Sequence, residues 1–366
     1  MQRSSALLLW FVLVGLLVAA QSAARAEICL PPAIGDRPRL TELGKTQVLW
    51  LELLFRQHEV CWRAPRVPDE TRIFAIGNST TFGFPLPYDQ SAIGLVNQHL
   101  ERRGIPAHVF NLGFAYTYQV KEALILSEVL AYEPDFIVYG VTLDDLIHIA
   151  PFRYRPLVEF FNSNSFAVER LAANPPPTFE EPFRRYLDAQ ADDVRPYAAW
   201  LGLRQAGTFI RVRARQTAKT LRKRLFPGVP DEKPEILDTK PDYRCKPVAR
   251  EFNKTHENWQ AWSMLDYLAE LRAETGIEVL VVNWPVAHEP QGRCYNVRYP
   301  AAAFADYVSW MEDKAESLKL PYLDIHDLLA PVDFVDSVHP TASGQRKVAV
   351  ELEAKLDELL PASGAR

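Results

Sequence analysis

The sequence predicts an α/β fold: a parallel sheet with helices over both faces. Three observations point there. Short strand-length apolar segments alternate with helix-length segments of mixed polarity. The strand segments are largely apolar, without the period-two alternation of a sheet that has one wet face. And the first three strand segments run into glycine at or just after their ends, at Gly77, Gly113 and Gly140.

Taken in order, residues Leu40 to Val60 carry apolar residues at helical spacing. Arg72 to Gly77 (RIFAIG) predicts the first strand. Ala92 to Arg103 predicts a helix stopped by Gly104, and Ala107 to Asn111 a second strand. Gln119 to Tyr132 predicts a helix and Asp135 to Gly140 (DFIVYG) a third strand. The alternation then pauses. From about 151 to 254 prolines and charges dominate and strand signals are few, with a helical stretch expected over Ala199 to Phe226. It resumes with a helix over Asn258 to Ala273, a strand over Ile277 to Val282, a helix over Ala303 to Leu318, a short strand over Tyr322 to Ile325 and a closing helix over Thr341 to Leu360. The pause is a mostly helical insertion at the carboxyl end of the third strand. In open α/β sheets the binding crevice lies at that edge, so the insertion is placed to roof a site.

The first residues read as a targeting segment. Arg3 precedes an apolar run from Ala6 to Ala20, and Ala24-Arg25-Ala26 supplies a small-residue cleavage site. Residues 1–26 are therefore expected to be a signal peptide, with 27–366 the mature domain in the periplasm or outside the cell; an uncleaved anchor is the alternative. Without that segment 39 basic residues face 46 acidic ones. A chain of this balance has no global electrostatic reason to bind nucleic acid. The four cysteines, Cys29, Cys61, Cys245 and Cys294, read as disulfides in an exported chain. Three pairings are possible; Cys29–Cys61 and Cys245–Cys294 close the more local loops. No C-x-x-C spacing suggests a metal site.

Four segments carry chemistry. Gly77-Asn78-Ser79-Thr80-Thr81-Phe82-Gly83 follows the first strand, where a tight turn exposes a serine hydroxyl beside backbone N–H groups. Asp336-Ser337-Val338-His339-Pro340 precedes the last helix; a carboxylate three residues before a histidine can hold its Nδ1–H so that Nε2 serves a serine as base. Phe110-Asn111-Leu112-Gly113 ends the second strand, and a glycine there lets its N–H approach a ligand closely. Gly140 to Leu146 (GVTLDDL) puts polar groups at the end of the third strand, facing the same crevice.

Together these segments resemble the SGNH/GDSL hydrolase superfamily. Its serine block, Gly-Asp-Ser-x-Thr-x-Gly, is matched at Gly77, Ser79, Thr81 and Gly83; its glycine block at Gly113; its Asp-x-x-His-Pro block at Asp336, His339 and Pro340. The resemblance covers about 72–146 and 276–360. It implies a flavodoxin-like three-layer α/β/α sandwich, no cofactor, no metal, and ester hydrolysis or acyl transfer. It implies Ser79 as nucleophile, His339 as base, Asp336 as its orienting acid, and the N–H groups of Ser79 and Gly113 as oxyanion donors. Two positions depart from the pattern. Asn78 replaces the aspartate of the serine block. The third block ordinarily offers an asparagine to the oxyanion, and the best alignment puts Asp144 there, where an ionised carboxylate would repel the developing charge. If the alignment slips, Thr142 is the donor instead.

Members similar to this chain, with an export signal and a phenylalanine after the threonine, include periplasmic acyl-group enzymes acting on carbohydrate, so an O-acetylated polysaccharide is the expected substrate. A catalytically weak glycan-binding or assembly protein and a lipid esterase are the alternatives. The basic stretch at 204–224 could meet an anionic membrane surface or an acidic glycan, and a membrane acyl donor is a possible partner, although a solvated face explains that stretch as well. His148 and His326, the latter flanked by Asp324 and Asp327, read as ordinary polar residues, and Trp284 as a core aromatic before a sugar platform.

Overall fold

A computed structural model of the chain describes residues 70–113, 119–143, 145, 259–287, 301–336 and 338–360, with isolated positions between 171 and 180. The signal peptide, the N-terminal helix, all four cysteines and nearly all of the insertion lie outside the described residues.

Five strands form one sheet: β1 (Thr71–Gly77), β2 (Ala107–Asn111), β3 (Phe136–Val141), β4 (Glu278–Asn283) and β5 (Tyr322–Asp324). All four pairings are parallel and the order is β2-β1-β3-β4-β5. This is the flavodoxin-like doubly wound order, whose ligand crevice opens where the chain switches direction, between β1 and β3. Ser79 lies two residues past the end of the first of these strands.

The apolar strands sort their side chains onto two covered faces. Phe74, Ile76, Ile137, Tyr139, Val279 and Val281 join one core cluster with α3 (Gln119–Val129), α4 (Trp259–Thr275) and α5 (Ala301–Ser317). Their neighbours Ile73, Ala75, Val138, Leu280 and Val282 join a second cluster with α2 (Ala92–Arg103) and α6 (Ala342–Leu359). Burial on both faces removes any need for polar residues at alternate positions, and the result is a three-layer α/β/α sandwich. Among the described residues the expected boundaries hold to within one or two residues, except that the helix expected over Gln119 to Tyr132 ends at Val129 and gives way to a 3-10 turn over Leu130–Tyr132. The chief difference is an added single turn, α1 (Ser79–Phe82), on the serine block itself.

Helices α2 and α6 are tied at their starts. Ser91 caps α2 by accepting the Gly94 N–H at 3.2 Å, and the Ala92 N–H donates to Gln345 Oε1 of α6 at 2.7 Å. Thr341 caps α6 by accepting the Gly344 N–H at 3.2 Å. The residues just before α6 are thereby fixed against the serine side of the sheet.

Candidate active site

β1 ends in Gly77, at φ 154°. A Cβ there would lie 2.3 Å from Thr81 Oγ1 and 2.5 Å from the Gly140 carbonyl, so a larger residue cannot make this turn. Asn78 then caps α1: its Oδ1 accepts the Thr80 N–H at 2.8 Å. Ser79 becomes the first helical residue, half-buried, while Thr80, Thr81 and Phe82 turn inward.

The histidine arrives from the other end of the chain. Phe334 pairs with Pro340 across an antiparallel bridge, and the Val335 N–H donates to the His339 carbonyl at 2.8 Å, closing a tight loop ahead of α6. Within it Asp336 Oδ1 accepts the N–H groups of Val338 (2.9 Å) and His339 (2.8 Å). Its other oxygen, Oδ2, lies 2.6 Å from His339 Nδ1, and His339 Nε2 lies 2.8 Å from Ser79 Oγ. The Phe84 ring packs at 75° to the imidazole with centroids 4.8 Å apart. The three residues expected to work together are thus within hydrogen-bond reach of one another. Burial pushes the Asp336 carboxyl up, but the hydrogen bond and charge of His339 and the two N–H groups outweigh it and hold the group below the ordinary carboxylate range. An ionised Asp336 keeps a proton on Nδ1 and leaves Nε2 free to accept one from the serine.

On the oxyanion side, two of the expected donors have partners within the protein. The Gly113 N–H donates to Asn111 Oδ1 at 3.0 Å, so it is engaged within its own turn. Gly113 is needed for another reason: a Cβ there would sit 2.5 Å from Phe82 N and 2.8 Å from Thr81 C. Its smallness lets the end of β2 close on α1. Thr142 is likewise committed. It is only 1 % exposed; its hydroxyl donates to Asp145 Oδ2 at 3.0 Å and accepts from Asn78 Nδ2 at 3.0 Å. Both groups thus have hydrogen-bond partners within the protein. The Ser79 N–H has no hydrogen-bond acceptor among the described residues and stays available. Asp144 and His148 lie outside the described residues, as does the basic stretch at 204–224.

Sequence reasoning left Asp145 without a role. Its Oδ2 accepts from Asn78 Nδ2 (2.7 Å), Thr142 N–H (2.8 Å) and the Thr142 hydroxyl. Its only signal in the sequence is its place beside Asp144 in the polar run that follows the third strand. Phe84 was missed too, since nothing in a Phe-Pro dipeptide announces contact with a histidine 255 positions away.

The remaining candidates fall into structural places. Trp284 is 1 % exposed and belongs to the core, which removes it as a sugar platform. His326 Nδ1 lies 2.8 Å from Asp324 Oδ1. Asp324 also accepts from Asn283 Nδ2 at 3.1 Å, and Asn283 Oδ1 accepts the Tyr307 hydroxyl at 2.6 Å. This chain of polar contacts braces the ends of β4 and β5. Among the described residues no group of three or more His, Cys, Asp and Glu side chains converges as a metal ion would require.

Sheet order, the serine turn at the end of β1 and the His-Asp loop ahead of the last helix bring Ser79, His339 and Asp336 together at one edge of an α/β/α sandwich. The chain is similar to several solved structures: a G-D-S-L family protein from Desulfitobacterium hafniense (12 % identity, TM-score 0.38, 78 % of this chain and 99 % of that one), a lipase/acylhydrolase from Enterococcus faecalis (11 %, 0.41, 81 % and 100 %) and an aryl esterase from M. smegmatis (14 %, 0.41, 79 % and 100 %). Likeness at this level concerns chain path alone. No protein-family model matches the sequence, and no curated protein does.

Proposed function

We propose that this chain is a serine esterase or O-acyltransferase that forms an acyl-enzyme at Ser79. The observation that carries the reading is the relay Ser79 Oγ – His339 Nε2 – His339 Nδ1 – Asp336 Oδ2, with contacts of 2.8 and 2.6 Å. As Ser79 Oγ bonds to the acyl carbon, its proton passes to His339 Nε2 and the carbonyl π pair moves onto oxygen. Collapse of that intermediate breaks the ester C–O bond, and His339 returns the proton to the leaving alcohol. Water or an acceptor hydroxyl then repeats the cycle on the acyl-enzyme, giving hydrolysis or transfer. Asp336 fixes the tautomer and stabilises the imidazolium. The Ser79 N–H supplies one oxyanion donor, and one such donor contributes about 10²–10³ in rate.

The finer reading is an acyl, most simply acetyl, ester of a carbohydrate processed outside the cytoplasm. Its support is the leader-like segment over 1–26 and the resemblance of the sequence blocks. The test is hydrolysis of a series of p-nitrophenyl esters by wild type and Ser79→Ala, repeated with acetylated oligosaccharides and with free sugar acceptors. Activity on short acyl chains that vanishes in Ser79→Ala supports the assignment. Activity that survives the substitution contradicts it. A preference for long chains points instead to a lipid esterase.

A further inference from the structure

We propose that Asp333, through its ion pair with Lys347, is a positioning residue for His339: the pair anchors to α6 the loop that carries the base. The rate effect expected below rests on the acyl-enzyme reading; the anchoring itself does not.

Asp333 closes the loop at its base. The Thr341 N–H, just ahead of α6, donates to the Asp333 carbonyl at 2.7 Å. Inside that contact Phe334 bridges to Pro340, and the Val335 N–H meets the His339 carbonyl. The close approach to α6 depends on Gly344. A Cβ there would lie 2.6 Å from the Asp333 carbonyl oxygen and 2.9 Å from Pro340 Cβ, so a larger residue would push the loop off the first turn of the helix.

The Asp333 side chain secures the same seam. It is 4 % exposed, and its Oδ2 accepts from Lys347 Nζ at 2.6 Å and from the Ala330 N–H at 3.2 Å. One residue thus joins the chain before the loop, the chain after it and the helix. The serine turn is held separately, by Asn78 against the end of β3. The 2.8 Å contact between His339 Nε2 and Ser79 Oγ therefore depends on how firmly the loop sits on α6.

Electrostatics gives the two partners unequal weight. Lys347 is half-exposed, and water would solvate it without its partner. Asp333 is buried, and a buried carboxylate that loses its cation is costly to keep in place. Its neighbour Val332 is 82 % exposed, so the loop base can bring Asp333 to water by opening locally, without unfolding the sheet.

The experiment compares wild type, Lys347→Met, Lys347→Arg, Asp333→Asn and the Asp333→Asn/Lys347→Met double variant. It reads kcat and KM for a short p-nitrophenyl ester, and hydrogen exchange of peptic fragments by mass spectrometry. Lys347→Met is expected to lower kcat by about 10- to 10²-fold with KM little changed, because it misplaces the base and leaves the binding surface intact. Exchange is expected to rise in the fragment spanning 333–341 and to stay at the wild-type level in fragments from β1 and β3. Lys347→Arg keeps the cation and is expected to restore both readings. The double variant leaves neither charge stranded and is expected to be no more impaired than Asp333→Asn alone, a coupling that independent sites do not show. A wild-type kcat in Lys347→Met, a rise in exchange spread over the whole domain, or a double variant as impaired as the product of the two single effects would overturn the proposal. If wild type is inert on esters, the acyl-enzyme reading has failed, and exchange in Lys347→Met decides the anchor: a rise confined to 333–341 supports it, any other pattern overturns it.

Discussion

His339 Nε2 stands 2.8 Å from Ser79 Oγ although 260 positions separate the two residues. The contact forms because β1 ends in a turn only glycine can make and because the Asp336–His339 loop is pinned to α6, itself tied to α2 through Gln345. It links the two ends of the fold at one point.

Removing the base tests that point. His339→Ala is expected to lower kcat on any ester substrate by about 10⁴-fold or more, as loss of one member of such a relay does. KM should change little, and the far-ultraviolet circular dichroism should match wild type.

Asp336→Asn should keep the loop's backbone while offering His339 the wrong partner, with kcat reduced about 10⁴-fold. The same substitution alters acid stability. Asp336 has its carboxyl held below the ordinary range in the folded state, so its contribution is complete above the unfolded value of about 3.9 and is lost as pH falls through the lower folded value. The side chain is 42 % exposed, which screens the effect. Wild type should therefore lose more of its thermal midpoint than Asp336→Asn between pH 5 and pH 2, the ends of about that window; equal losses would show that the loop does not hold Asp336 as described.

Much of this was legible in the sequence. Largely apolar strands set between helices point to the parallel sheet, and two short blocks point to Ser79, His339 and Asp336. What was not legible has a physical reason in each case. The resemblance implies the Gly113 N–H as a donor, with Thr142 as the alternative if the third block's alignment slips, yet whether a polar group has a partner depends on its neighbours. Asn111 takes the Gly113 N–H, and Asp145 takes the Thr142 hydroxyl. Asp145 was hidden because its partner lies 67 positions away and on another strand end.

Thr142→Val separates the two uses of that residue. As a buried member of the Asn78–Asp145 contact, Thr142 should cost about 1–3 kcal/mol of stability when its hydroxyl is lost. An oxyanion donor would instead cost about 10²–10³ in kcat. The first pattern is expected: a lowered midpoint in urea unfolding with kcat within about tenfold of wild type, well short of a lost donor.

Lys121 offers a prediction away from the site. It is buried, and burial lowers its ammonium to about 7, with Glu122 opposing the shift. Between that value and about 10.4 the unfolded chain binds a proton that the folded chain does not, so stability should rise with pH through this window. Lys121→Met removes the dependence. Its thermal midpoint should exceed wild type at pH 7, and the difference should shrink by pH 9, about midway up the window; a constant difference would contradict the burial of this amine.

The most direct measurement is covalent trapping of the nucleophile. Wild-type protein is treated with a fluorophosphonate, digested and mapped by mass spectrometry, with Ser79→Ala and His339→Ala alongside. The account predicts one adduct per chain, on the peptide that contains Ser79, absent from Ser79→Ala and strongly slowed in His339→Ala. An unmodified Ser79 under conditions that label a known serine hydrolase, or an adduct that persists in Ser79→Ala, would contradict it.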